Sequence, residues 1–229
     1  ITARGIENLQ NTDKLGLKAL IEQSGMFGKT GEKKKISSTG VGFMLAPRIN
    51  AAGRIRNAKS AVELLLAKDI ETAYNLADEL CSINKERQMM ELEIYEQAIK
   101  QLENNGERNV YVLGSDGWHQ GVIGVVASRI TEKYARPSIL LSFDGDIGKG
   151  SGRSVKGFSM LEALSVCSDL LDEYGGHELA AGLTIRRDKL NEFSERINAY
   201  AAEKMSSDSA LLPVIADAEV TASDISLKQ

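Results

Sequence analysis

Cysteine, histidine and aromatic residues are all scarce. Two cysteines, Cys81 and Cys167, stand far apart in 229 residues, which excludes both a disulfide framework and a zinc knuckle. A reducing cytoplasm is the compartment such usage predicts. His119 and His177 are the two imidazoles, and neither lies in an Asp-His cluster. A two-metal hydrolytic site draws on several carboxylates and usually imidazoles in one place, and the sequence assembles none. Asp144 and Asp146 have D-x-D spacing but flank the glycine of an expected hairpin, so they read as turn residues. Aromatic side chains make up 5%, too few for a module that grips single strands mainly by stacking. No stretch approaches the roughly 18 to 20 apolar residues of a membrane span, and no charged-then-apolar leader opens the chain. No membrane partner is therefore expected. The first residue is Ile1 rather than Met, which predicts a start inside a longer protein.

What is present is an ordinary globular composition, 42% hydrophobic and 26% charged, enough for one or two domains. The net charge of -4 would on average repel a polyanion. Its distribution says otherwise. Between Gly28 and Lys59 the positives Lys29, Lys33, Lys34, Lys35, Arg48, Arg54, Arg56 and Lys59 face Glu32 alone, and Lys149, Arg153 and Lys156 form a second acid-poor run. Such local positive potential suits a phosphate site. A solvated basic face is the alternative.

The chain opens helical, with Leu15 to Ile21 ahead of a stop at Gly25, and Gly28 to Ser38 reads as a loop. Ser60 and Glu63 form a capping-box signature. Asp69 can cap a helix whose apolar positions, from Ala73 to Leu102, keep a three-to-four spacing up to Gly106. That predicts a rod of about 35 residues, about 50 Å long, with a middle too polar to be buried all round: a connector between two lobes. Beyond it the pattern alternates. Val110 to Leu113 and Ile139 to Phe143 read as parallel strands around a helix at Val122 to Ile130. Asp144-Gly145 turns the chain back into Ile147 to Ser154 as an antiparallel strand. Ser159 and Glu162 open a helix carrying residues as far as Leu171 and ended by Gly175 and Gly176. Leu183 to Ile185 reads as a strand, and Asp188 as the cap of a last helix. Val214 to Val220 alternates like the first strand of a further unit.

Four segments are dense in glycine, small residues and polar groups. In Arg48-Ile49-Asn50-Ala51-Ala52-Gly53-Arg54, two arginines flank residues too small to cover them. Guanidinium forks match phosphate oxygens, although a helix end with surface arginines has the same pattern. Gly114 to Gly121 joins a strand to a helix N-terminus, where unpaired N–H groups receive anions. His119 there can donate to phosphate, and Trp118 either stacks on a base or fills the core. Its glycines do not give the dinucleotide fingerprint. In Lys149-Gly150-Ser151-Gly152-Arg153-Ser154, Ser151 and Arg153 share a strand face, a hydroxyl beside a guanidinium. Glycine weakens a strand, so its abundance here predicts close ligand approach. In Gly175-Gly176-His177, positive φ at glycine would let His177 face a cleft.

In this order the segments RINAAGR (48–54), GWHQGVIGVVASR (117–129), GSGRS (150–154) and GGHELAAGLTI (175–185) resemble the motifs of RecJ-type single-strand-specific exonucleases of the DHH phosphoesterase superfamily. The resemblance implies an α/β architecture: residues 1–68 as the helical tail of a catalytic DHH lobe, 69–105 as a long connecting helix, 106–205 as a DHH-associated lobe with a mixed sheet, and 206–229 as the start of an OB-like domain. It implies 5′-to-3′ digestion of single-stranded DNA with Mn²⁺ or Mg²⁺, in repair and recombination, with a helicase and a single-strand-binding protein as candidate partners. The DHH tripeptide and the other metal-binding motifs of that family are missing from this sequence, so no metal ligand is assigned and the chain alone is expected to be inactive. What carries over is substrate handling. Ser151 and Arg153, with Ser154, resemble the 5′-phosphate pocket. Arg48, Asn50 and Arg54 resemble the motif that holds the DNA backbone near the scissile phosphate. His177, behind Gly175 and Gly176, looks like the residue facing the metal site, and His119 and Trp118 lie on the substrate side. A related phosphodiesterase for short oligonucleotides or cyclic dinucleotides is the rival reading, a non-catalytic single-strand-binding module a second, and an NAD-binding unit a distant third.

Overall fold

The computed structural model describes residues 1–26, 35–205 and 218–221. The first part is helical: α1 (Thr2–Gln10), α2 (Leu15–Gln23), a one-turn α3 (Ser38–Gly40), a π-helical turn (Val41–Leu45), α4 (Ala46–Ile55) and α5 (Lys59–Leu66). Leu20, Leu45, Ala51, Ala52 and Leu64 bury their faces against Ala73, Ala77, Leu80 and Ile83 of the next helix, making one core. α5 does not use the Ser60 capping box. The preceding Asn57 accepts from the Lys59 N–H instead, at 2.8 Å, so the helix starts one residue before the expected cap. Lys29, Lys33 and Lys34 lie outside the described residues.

α6 (Ile70–Asn105) runs 36 residues without a break, about 54 Å at about 1.5 Å per residue. Asp69 caps it, its carboxylate accepting from the Thr72 N–H at 2.8 Å; that bond is the main reason the Asp69 carboxyl titrates below its ordinary value. The N-terminal half of α6 packs on the helical part. Its C-terminal half, through Ile94, Ala98 and Leu102, packs on the α/β part. Between them Asn84 is buried, and Arg87 spans from Asn84 to Glu91. Arg129 of the following helix reaches Glu91 at 3.8 Å and lies 4.0 Å from the Tyr95 ring centre.

The α/β part is a five-stranded mixed sheet in the order β1-β2-β3-β5-β4. β1 (Tyr111–Asp116) and β2 (Ser138–Asp144) are parallel, with α7 (Gln120–Tyr134) crossing between them. β3 (Ile147–Arg153) returns antiparallel through the Asp144-Gly145 turn, where Gly145 has φ +56°. β5 (Ala180–Arg186) pairs with β3, and β4 (Leu171–His177) forms the far edge. α7 and α6 cover one face, around Leu113, Trp118, Ile123, Ile130 and Leu140. α8 (Met160–Val166) and α9 (Leu190–Lys204) cover the other, around Leu141, Phe143, Met160, Leu183 and Phe193.

Two expectations fail here for physical reasons. The helix opened by Ser159, whose hydroxyl accepts from the Glu162 N–H at 3.3 Å, ends at Val166. A 3₁₀ turn (Ser168–Leu170) follows, and Leu171 to His177 is a strand. β4 is exposed from Asp172 onward, so it carries no apolar alternation to mark it; pairing with β5 defines it. Likewise Asp188 does not cap α9. It sits in a 3₁₀ turn (Arg187–Lys189) ahead of the helix, 3.7 Å from Arg186. Of the strand expected over Val214–Val220, residues 214–217 lie outside the described residues, and 218–221 have no regular structure.

Candidate functional site

β3 separates its residue types by face. Gly148, Gly150 and Gly152 point to the α8/α9 side, where Phe143, Leu141, Leu183 and Met160 fill the space that side chains would take. These glycines therefore serve the core, which corrects the reading that they clear room for a ligand. Lys149, Ser151 and Arg153 point to the opposite face, toward α7.

There the chain builds a compact donor cluster. Arg153 donates from Nη1 to Ser151 Oγ at 2.9 Å and to its neighbour Gly152 carbonyl at 2.7 Å. Its Nε donates to Ser128 Oγ on α7 at 3.2 Å, and Ser128 in turn donates to the Gly124 carbonyl. A Cβ on Gly124 would lie 2.8 Å from Ser151 Oγ and 2.9 Å from Arg153 Nη2; glycine lets the helix pass over the pair. Small residues at 121, 124 and 128 line one face of α7. That spacing is the sequence signal by which Ser128 and Gly124, not singled out from the sequence, could have been found.

No carboxylate balances this cluster: among the described residues neither Arg153 nor Arg54 forms an ion pair with an acid. Burial first, and the charge of Arg54 second, lower the Arg153 pKa from its ordinary value. A half-buried guanidinium repelled by a second one is a site that gains from an anion.

Arg54 comes from the C-terminal end of α4, which abuts the start of α7. Its Nη1 donates to the Gly121 carbonyl at 3.3 Å. At that start His119 is the N-cap, its Nδ1 accepting from the Gly121 N–H at 3.1 Å. An accepting Nδ1 leaves the proton of the neutral ring on Nε2, so His119 keeps a donor beside the helix N-terminus, where anions are favoured. Asn50 is exposed on α4. Arg48 is tied elsewhere. Three of its five N–H donors reach Cys81 Sγ at 3.3 Å, the Ser24 carbonyl at 3.2 Å and the Met44 carbonyl. These contacts fasten α4 to α6 and to the end of α2.

Trp118 is corrected outright. It is 4% exposed among Ile123, Val126 and Leu113, and its indole N–H donates to Gln97 Oε1 at 2.8 Å. It fills the core and is closed to a stacking base. Ser154 is likewise committed: its hydroxyl donates to the Phe158 carbonyl at 2.7 Å, and its N–H to Leu179. It holds the hairpin tip.

That tip carries His177, exposed at the end of β4, with Nδ1 accepting from the Leu179 N–H at 3.3 Å. Gly176 before it has φ +148°, and a Cβ there would fall 2.4 Å from the Ala180 carbonyl oxygen, so glycine is required. Gly175 is exposed and open. Strand register sets His177, Ala180 and Arg153 in one row across the sheet, placing His177 and Arg153 two strand spacings apart, about 10 Å. The structure thus gathers Arg54, His119, Ser151 and Arg153, and puts His177 on the same face. Among the described residues no three His, Cys, Asp or Glu side chains come together to hold a metal, so the described part does not fit a resident metal centre and no step is routed through one. No helix of the described residues is long and apolar enough to cross a membrane.

The DHHA1 domain family matches residues 95–203. The single-stranded-DNA-specific exonuclease RecJ of Bacillus subtilis is 42% identical over 204 residues, 88% of this chain and 25% of that protein. The chain is homologous to part of RecJ. The crystal structure of RecJ from Thermus thermophilus in complex with Mg²⁺ superposes with a TM-score of 0.76 at 37% identity, covering 87% of this chain and 30% of that one. The Mn²⁺ complex of the same RecJ gives 0.75, covering 87% and 28%. The helical region and the five-stranded α/β region thus match part of the RecJ architecture, and the chain spans about a quarter of the curated RecJ relative from Bacillus subtilis. The DHHA1 match begins inside α6 and takes in the whole sheet, with Ser151, Arg153 and His177; Arg48, Asn50 and Arg54 lie before it.

Proposed function

We propose that this chain is the substrate-gripping portion of a metal-dependent 5′-to-3′ exonuclease acting on single-stranded DNA, with roles in repair and recombination, and that Ser151, Arg153 and Arg54 hold the 5′-terminal phosphate. One observation carries the reading: two guanidinium groups and a hydroxyl converge against the N-terminal half of α7, with no ion-pairing carboxylate among the described residues. The named activity of the RecJ relatives, and the Mg²⁺ and Mn²⁺ of the solved RecJ complexes, supply the reaction class. Domain roles follow the same division: 1–68 as the end of a catalytic lobe, 69–105 as connector, 106–205 as the substrate lobe and 206–229 as entry to an OB-like unit. His177, facing the open side of the sheet, would meet the reacting phosphate and stabilise charge on its oxygens. A metal held by residues outside this chain would supply the activated water. These residues bind, orient and stabilise charge but do not supply the attacking group, so the chain alone should not cut DNA.

The test is a comparison of 5′-phosphorylated and 5′-hydroxyl single strands in the full-length protein, with Arg153→Ala beside the parent. Loss of one charge-assisted bond, worth about 1.5–3 kcal/mol, predicts a tenfold or greater loss of the phosphate preference. An unchanged preference would overturn the assignment.

A further inference from the structure

Arg153 has five N–H donors, and the fold spends three of them. Nη1 donates to Ser151 Oγ at 2.9 Å and to the Gly152 carbonyl at 2.7 Å, both on its own strand. Nε donates to Ser128 Oγ on α7 at 3.2 Å. Nη2 has no partner among the described residues. It lies 2.9 Å from the point where a Cβ on Gly124 would stand, in the slot that this glycine leaves open. The donors left for a ligand therefore sit on one nitrogen, and the contacts of the other two nitrogens decide where it points.

Of those contacts only Ser128 comes from outside β3. Its hydroxyl has a single proton, which goes to the Gly124 carbonyl at 3.1 Å. Such back-bonding is ordinary for a helical serine, but it leaves the oxygen able only to accept, and Arg153 is what it accepts from. Ser151 is the converse case: its oxygen accepts from Arg153, and its own proton has no acceptor among the described residues. Buried hydroxyls beside Ser128 fix the height of α7 over β3. Ser138, the β2 residue paired with Arg153, is wholly buried and donates to the Ala127 carbonyl at 2.9 Å. With that proton spent, Thr131, also buried, is the donor in its 2.7 Å contact with Ser138. The helix is thus clasped to the sheet on either side of Ser128 in sequence.

We propose that Ser128 is a positioning residue that sets the plane of the Arg153 guanidinium, a role that rests on the reading of Ser151 and Arg153 as the phosphate clamp. Ser128 itself makes no bond to DNA, because its one proton is already used. Its oxygen turns the guanidinium so that Nη2 and the Ser151 proton meet the same phosphate. Arginine recognises phosphate through a planar fork, so the direction of that plane matters as much as the charge. Without the Ser128 oxygen the guanidinium is held from its own strand alone, and Nη2 can turn away from the Ser151 proton. The charge then remains near the DNA end while the aligned pair of donors is lost.

The test measures binding of 5′-phosphorylated and 5′-hydroxyl single strands to the full-length protein in chelator, so that nothing is cut. Ser128→Ala should lower the phosphate-over-hydroxyl ratio about fivefold, the scale of one lost hydrogen bond. The loss should fall on the phosphorylated end, with the melting temperature close to the parent's. Ser128→Thr, which keeps the oxygen, should restore the ratio. Because the effect passes through Arg153, Ser128→Ala should lower the ratio no further in an Arg153→Ala background. A parent-like ratio for Ser128→Ala, an equal loss for both ends, or a full additional loss in the Arg153→Ala background would overturn the positioning role and leave the clamp standing. A parent without phosphate preference, or an Arg153→Ala variant that keeps it, would overturn the clamp and the role of Ser128 with it, so the two failures read out separately.

Discussion

The carbonyl oxygen of Arg54 occupies the place where a side chain on residue 121 would begin: a Cβ on Gly121 would lie 2.1 Å from it. The end of α4 and the start of α7 touch backbone to backbone at this point, and the contact sets where the Arg54 guanidinium stands relative to Arg153. Neither atom is the free end of a flexible side chain, so Gly121→Ala must part the two helices. We expect a loss of about 1–3 kcal/mol in urea denaturation, the usual cost of overpacking, together with a reduced preference for 5′-phosphorylated strands. Parent-like stability would show that the approach is not tight in solution.

Gly124→Ala should behave differently. Its Cβ would crowd Ser151 Oγ and Arg153 Nη2 at 2.8 and 2.9 Å, and the guanidinium end of Arg153 can swing aside. The fold then gives way cheaply, by about 1 kcal/mol or less, while the clamp loses its alignment. Affinity for a 5′-phosphorylated strand should fall about tenfold, the scale of one charge-assisted hydrogen bond, with little change in melting temperature. A large stability loss with intact phosphate preference would mean that the small residue serves packing alone.

The contrast between these two glycines explains what the sequence could and could not convey. α6 was legible because thirty-odd residues hold one apolar period with no glycine or proline, and Asp69 stands where a cap should. The parallel β1/β2 pair and the Asp144-Gly145 hairpin were legible because their turn chemistry is local. β4 was not, since Asp172 to His177 is exposed and its strand character comes from β5, which is brought alongside only by folding. The Ser-x-Arg pair could be read from strand alternation, but Ser128, which receives the Arg153 Nε, arrives on a helix laid across β3. Trp118 was ambiguous because one tryptophan in a glycine-rich loop fits a surface or a core; the bond to Gln97 decides for the core. The glycines of β3 misled because a sequence does not state which face the bulky neighbours fill.

The outer edge of β1 is closed by two side-chain amides rather than by another strand. Asn198 of α9 accepts from the Val110 N–H at 2.9 Å and donates to the Val110 carbonyl at 3.0 Å. Gln101 of α6 does the same for Gly114, at 3.3 and 3.1 Å. Asn198 is buried, so Asn198→Leu would strand two backbone groups without water. Each such group costs about 1–3 kcal/mol, and urea denaturation should register a loss of about 2–4 kcal/mol. Gln101→Leu, at a more open position, should cost less. Equal, small losses at both positions would indicate that water replaces the amides.

The two cysteines should differ in reactivity and in their influence on alkaline stability. Cys167 is fully buried in the core beside α8, and burial pushes its thiol up to about 11. Cys81, partly exposed on α6, is open to reagent. A thiol-reactive dye at about pH 8, near the ordinary thiol range, should label Cys81 in the native protein and reach Cys167 only on unfolding. Because the folded pKa lies above the ordinary 9.0, the native state holds this proton more tightly than the unfolded chain. Its stabilising contribution is therefore complete below pH 9 and fades as pH rises from 9 toward 11, the sign required by proton linkage. Cys167→Ala should lower stability at neutral pH through the small cavity it leaves, yet lose less than the parent over that alkaline interval. Parallel losses for parent and variant would place the alkaline sensitivity in other groups.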